Sequence, residues 1–112
     1  MIMSELKTEF WAAALIRRAE SGGAMAYLVR RGDPDAGAVL LKVSKLDGQA
    51  ALYVPARSAE GERIWTQPLG EVEEARADAY CRRRLEDDPD LWIIEVEDRA
   101  GRHFLDEPVE DF

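Results

Sequence analysis

One cysteine, one histidine and no unbroken apolar segment of membrane-spanning length narrow the chemistry open to this 112-residue chain. Cys81 has no second cysteine to pair with, so no internal disulfide can form and the fold must stand on its apolar core. With 46% hydrophobic and 34% charged residues, the composition is that of one ordinary folded domain rather than a disordered segment. No charged-then-apolar leader opens the sequence, which leads us to expect a reducing cytoplasmic setting. Neither a G-x-x-x-x-G-K-[ST] nor a G-x-G-x-x-G stretch occurs, so no phosphate cradle is encoded. His103 and Cys81 alone are too few for a zinc or iron centre, which draws on two or more such ligands. No cofactor is expected.

Positive charge is also short. A net charge of −8 disfavours tracking a nucleic-acid backbone, because that binding needs clustered lysine and arginine to release counterions. The arginine run Arg82-Arg83-Arg84 is neutralised by Asp78, Glu86, Asp87 and Asp88. About half of the net −8 falls in the last seven residues, where Asp106, Glu107, Glu110 and Asp111 have no basic neighbour. We therefore read one compact domain over 1–105 and an acidic, mobile tail over 106–112.

What is present reads as helices and short strands. Thr8 is placed as an N-cap, followed by Trp11, Ala12, Leu15, Ile16 and Ala19 at helical spacing, with Gly22-Gly23 as the stop. Strands are expected over 25–30, 39–44, 51–54 and 63–66, and Asp47-Gly48 predicts a hairpin over 38–54. A second helix is expected from Glu71 to about Leu85, acidic at its start and basic at its end. Its apolar residues form two stripes, Val72, Ala75 and Ala79 against Ala77, Cys81 and Leu85, as if sheet and partner each covered one. The run 91–97 predicts a central strand, and 98–101 a hairpin loop returning as a last strand over 102–105. The expected fold is α+β: an antiparallel or mixed sheet of five to six strands with two amphipathic helices on one face.

The tripeptide Asp-Pro-Asp occurs twice, at 33–35 and 88–90, each time after arginines and before an apolar run. The first begins like an EF-hand calcium loop, but glycine is fifth, alanine sixth and Ser44 twelfth, where the ion needs oxygen, glycine and glutamate. Asp and Pro favour turns without any ligand, so both copies read as turns. Cys81, on an apolar helix stripe, reads as core packing rather than as a nucleophile. Trp65, Tyr80 and Phe112 are candidate interface aromatics. Arg30, Arg31, Asp33 and Asp35 with Glu95 and His103 are candidates for one polar site, with His103 its potential general base.

The segments 10-FWAAALIRRAESGGAMAYLVRRGDPDAGAVLLKVSKLDG-48, 53-YVP-55 and 89-PDLWIIEVEDRAGRHF-104 carry the motifs R-R-G-D-x-x-A-G-A and D-P-D-L-W-x-x-E-x-E-D. On these the chain resembles a family of small bacterial stand-alone proteins classed as a domain of unknown function. The resemblance implies a soluble bacterial cytoplasmic domain and transfers no catalytic residue, substrate or cofactor. Two functions are weighed. The first is a non-enzymatic module that binds a protein partner or itself through the second helix or a sheet edge. The second is a small enzyme or ligand-binding domain with its site at the Arg30–Asp35 turn and His103. Membrane association is not expected.

Overall fold

The computed structural model describes residues 7–110. In chain order the elements are α1 (Thr8–Ser21), β1 (Met25–Arg30), β2 (Val39–Ser44), β3 (Gln49–Arg57), β4 (Arg63–Thr66), β5 (Glu71–Glu73), α2 (Glu74–Asp87) and β6 (Trp92–Glu97). Six strands form one mixed open sheet in the order β1-β6-β2-β3-β4, with β5 paired to β3. β6 is central: it runs antiparallel to β1 and parallel to β2. The α+β class, the mixed sheet and the 38–54 hairpin are as the sequence predicts.

The helices, expected on one face, lie on opposite faces. Along β2 consecutive side chains point to opposite sides. Val39, Leu41 and Val43 pack with Ala12, Leu15 and Ala19 of α1, whereas Leu40 packs with Ala77 and Cys81 of α2. Every residue of β2 is buried, so the strand needs cover on both sides and takes one helix for each.

Three further differences have local causes. Residues 71–73 form β5 rather than the first turn of a helix, because Val72 lies opposite Ala50 of β3; α2 starts only at Glu74, whose amide donates to the Gly48 carbonyl at 3.0 Å. Val72 is thus absent from the helix stripe, and Ala75 and Ala79 are exposed alanines with little apolar surface to offer. The return strand over 102–105 does not form. Both sides of β6 are already occupied, and Phe104 takes a left-handed φ of 61° that breaks an extended run.

The segment after 105, expected to be mobile, is bound as far as Glu110. Val109 bridges Trp65 of β4, the Trp65 amide donates to the Pro108 carbonyl at 2.9 Å, and the Glu110 amide donates to the Trp65 carbonyl at 2.8 Å. Trp65 lies opposite Pro55, which has no amide proton to give, so the Trp65 backbone is free to turn outward to this segment. At β4, this edge of the sheet is therefore covered by the chain itself. Phe112 lies outside the described residues.

Candidate functional site

The two Asp-Pro-Asp turns meet. The Asp33 amide donates to the Asp90 carbonyl at 3.0 Å, the Trp92 indole Nε1 donates to the Asp33 carbonyl at 2.7 Å, and Arg30 Nη2 donates to the Pro89 carbonyl at 2.6 Å. Each turn is held by its own aspartate: Asp33 Oδ2 accepts from the amides of Asp35 and Ala36, and Asp88 Oδ1 from that of Asp90. The first turn also caps α1. Thr8 and Glu9 amides donate to the carbonyls of Asp35 and Pro34, while Thr8 Oγ1, expected as an N-cap acceptor, donates to the Gly37 carbonyl at 2.9 Å. The loop 31–38 thus ties together the start of α1, the end of β1 and the entry to β6.

The six residues expected to share a polar site have separate partners. Arg30 is bound to Pro89, Arg31 pairs with Glu9 at 2.7 Å and lies over the Trp92 ring, and Asp35 pairs with Lys7 at 3.5 Å. Glu95 pairs with Lys42 on the α2 face, whereas His103 packs edge-on against Tyr53, a member of the α1-face core. The sheet stands between those two. His103 Nδ1 accepts the Leu105 amide at 2.9 Å, and burial pushes its pKa below the ordinary value. The ring is then neutral at pH 7, with Nδ1 an acceptor that fixes the left-handed Phe104.

That arrangement sets a pH dependence. The folded pKa of His103 lies below the unfolded one, so the unfolded chain takes up the proton first. The contribution is complete above about 6.5, the unfolded value, and is lost as pH falls through and below it. Between pH 7 and pH 5 the wild type is expected to lose more stability than His103→Asn, whose amide oxygen keeps an acceptor there without titrating. Urea denaturation at both pH values measures the difference; parallel losses would contradict it.

Sequence reasoning missed the most buried charge. Lys42 is 5% exposed in the middle of the central strands, and its ammonium reaches Asp78 at 2.7 Å, Glu74 at 3.0 Å and Glu95 at 3.4 Å. Burial works against the ammonium, but hydrogen bonds to Asp78 and Glu74 and the charge of Glu95 outweigh it, and its pKa is raised. Burial pushes the Glu95 carboxyl up, further than Lys42 pulls it down. Burial likewise pushes the neighbouring Cys81 thiol up to about 11, which leaves it protonated and unreactive at neutral pH. The signal was legible in retrospect as a lysine inside the apolar run VLLKVS and a glutamate, Glu95, between the apolar residues of WIIEVE. Among the described residues, no group of three or more His, Cys, Asp or Glu is arranged to hold a metal ion. A shallow cavity of about 130 Å³ lies between Tyr53, Lys45, Glu71 and Gly101.

Of the interface candidates, Trp65 is 2% exposed, stacked on Trp11 with ring centroids 5.5 Å apart, and its Nε1 donates to Glu107 at 2.9 Å. Its indole is core. Tyr80 is half-buried against the α2-face core. Exposed apolar surface gathers elsewhere. Of the six large hydrophobic residues that are exposed among those described, four are in β1: Met25 56%, Tyr27 42%, Leu28 44% and Val29 56%. β1 ends the sheet, with β6 on one side and, among the described residues, no strand on the other. The Tyr27 hydroxyl donates to Glu97 at 3.2 Å; lost solvation first, then that bond and the charges of Glu97 and Glu95, push the phenol's pKa up.

Comparison with known proteins matches this fold over 94–95% of the chain. A crystal structure of a DUF1491 family protein from Caulobacter crescentus CB15 shares 54% identity with a TM-score of 0.88, covering 94% of this chain and 99% of that one. An NMR structure of a DUF1491 family protein from the same organism shares 53% identity with a TM-score of 0.84, covering 95% and 97%. A solution structure of a protein from A. tumefaciens shares 30% identity with a TM-score of 0.80, covering 95% and 97%. No curated protein matches the chain. Among the described residues, no helix is long and apolar enough to cross a membrane. Residues 6–106 match the family model described as a protein of unknown function, DUF1491, and the chain belongs to that family.

Proposed function

We propose that this chain is a non-enzymatic cytoplasmic binding module that engages a protein through the open edge of its sheet at β1. The observation that carries the reading is the contrast between the two ends of the sheet. Residues 108–110 bridge β4 at Trp65, while the outer side of β1 pairs with no strand among the described residues and presents Met25, Tyr27, Leu28 and Val29. An uncovered apolar edge strand is a template for pairing, and proteins that do not use one usually blunt it with charge, proline or a covering loop. Here charge arrives only at Arg30, and a bulge between Leu28 and Arg30 ends the regular run. Strand addition takes affinity from main-chain hydrogen bonds and specificity from alternate side chains. The dispersal of the charged candidates speaks against the enzyme reading, because acid–base chemistry needs groups converging on one point.

The test uses the wild-type chain and Leu28→Lys as baits. A lysine on this edge leaves the core untouched, so Leu28→Lys should fold with nearly unchanged stability, as circular dichroism and thermal unfolding would check. A protein retained by the wild type, whether another copy or a different chain, should be lost from the variant by at least about tenfold, the loss expected when a central anchor of about 1.4 kcal/mol or more is removed. In the retained complex, amide exchange should slow over residues 25–30. Equal retention by both baits removes the reading.

A further inference from the structure

We infer that the partner at β1 is a second copy of this chain, joined by antiparallel pairing of the two β1 strands about a twofold axis at Tyr27. The inference rests on the edge-docking reading above and adds the identity of the occupant. Closure argues for it first. Pairing β1 with its copy joins two six-stranded sheets into one whose outer edges each consist of β4, bridged at Trp65 by its own residues 108–110, and the three-residue β5, which carries Glu71 and Glu73. The assembly is finite because, among the described residues, each outer edge is then either bridged by the chain itself or short and acidic.

Side-chain register argues for it next. In the antiparallel pairing Tyr27 meets the partner copy's Tyr27, and Ala26 meets the partner copy's Leu28, a small residue against a large one on the same face. Ala26 packs on the α1-face core and Leu28 lies opposite Ile94, a residue of that core, so the pair adds apolar contact where a core already exists. No charged residue occurs from Met25 to Val29, so no like charges are opposed.

Charge decides between the two directions of pairing. Arginines 30 and 31 stand at the end of β1, and Glu97, held by the Tyr27 hydroxyl at 3.2 Å, stands beside its beginning opposite Met25. Antiparallel pairing brings the arginine end of each copy to the carboxylate end of the other, twice. Parallel pairing would set arginine against arginine. The paired segment is short because the bulge at Val29 ends it, so the contact is at the small end of protein interfaces and the dimer exchanges with monomer.

Sedimentation of the pure full chain from low micromolar to near-millimolar concentration is expected to show the mean mass rising from 12.6 kDa toward twice that value. Leu28→Lys is expected to stay at one chain throughout. Under a mild oxidant, Tyr27→Cys should form a disulfide-linked dimer in several-fold higher yield than Leu46→Cys, whose position is as exposed but lies in the β2–β3 turn. Cys81 is buried and does not compete. A wild-type mass that stays at one chain, or equal cross-linking of the two cysteine variants, overturns the second copy as occupant. The edge-docking reading survives that result if Leu28→Lys still loses a different retained protein, and falls with it if retention is unchanged.

Discussion

Replacing Lys42 with alanine is expected to lower the unfolding free energy by about 2–3 kcal/mol at pH 7, somewhat below the range for breaking a fully buried ion pair. The discount comes from the acceptors: the side chains of Glu74 and Asp78 are 39% and 46% exposed and can turn to water, whereas Glu95 is only 20% exposed and cannot. Part of the loss is packing, since the lysine stem lies between β2 and α2 in line with Leu40 and the truncation leaves a gap there. Lys42→Met separates the two contributions. It keeps an unbranched side chain of similar length, so what it loses is the charge.

The pH dependence of that variant follows from Glu95. Its folded pKa is already above the unfolded value, so its ionised form costs stability above the folded pKa, and the cost disappears as pH falls through and below it. Without the Lys42 ammonium the carboxyl rises further. The gap between wild type and Lys42→Met should therefore be widest at neutral pH and close on acidification toward the ordinary glutamate range of about 4.3. Urea denaturation of both proteins from neutral pH down to that range measures the gap. A gap that stays constant would mean that packing rather than charge accounts for the loss.

What could be read in the sequence was local. The 38–54 hairpin is written by Asp47-Gly48: Asp47 Oδ1 accepts the Gln49 amide at 2.9 Å, and Lys45 and Gln49 close the turn. The central position of β6 follows from WIIEVE, and the reading of both Asp-Pro-Asp copies as turns follows from aspartates that bond their own backbone. Whatever depends on a neighbour distant in sequence was hidden. The return strand over 102–105 looks plausible until β1 and β2 are seen to fill both sides of β6. Placing the helices on one face overlooked the consecutive apolar residues Val39, Leu40 and Leu41, a pattern that marks a strand buried on both faces. The separation of Glu95 from His103 has the same cause. Glu95 and His103 are eight residues apart, yet alternation along the sheet and the turn after β6 send them to opposite faces.

Gly32→Ala is expected to be the most damaging small substitution, at about 3 kcal/mol or more, the upper end for overpacking. A methyl group at Gly32 would overlap the Asp90 carbonyl and approach Trp92 Cδ1 to 2.6 Å, and one at Gly37 would approach the same ring carbon to 2.8 Å. The obstacle is backbone and a buried indole, neither of which can swing aside. Giving way would separate the two Asp-Pro-Asp turns, and with them the Trp92 Nε1 bond to Asp33 and the caps that Asp35 and Pro34 place on α1. The expected fall in Tm is at least about 10 °C for a domain of this size. Because Gly37→Ala obstructs the same contact, the double variant should cost less than the sum of the two single ones, where independent sites would add. Thermal unfolding of the three variants decides it. A loss below about 1 kcal/mol for Gly32→Ala, within the ordinary range for surface changes, would show that the loop moves without taking the entry to β6 with it. The glycines flanking the first Asp-Pro-Asp would then have no need of their small size, and the junction of the two turns would not be what holds α1 to the sheet.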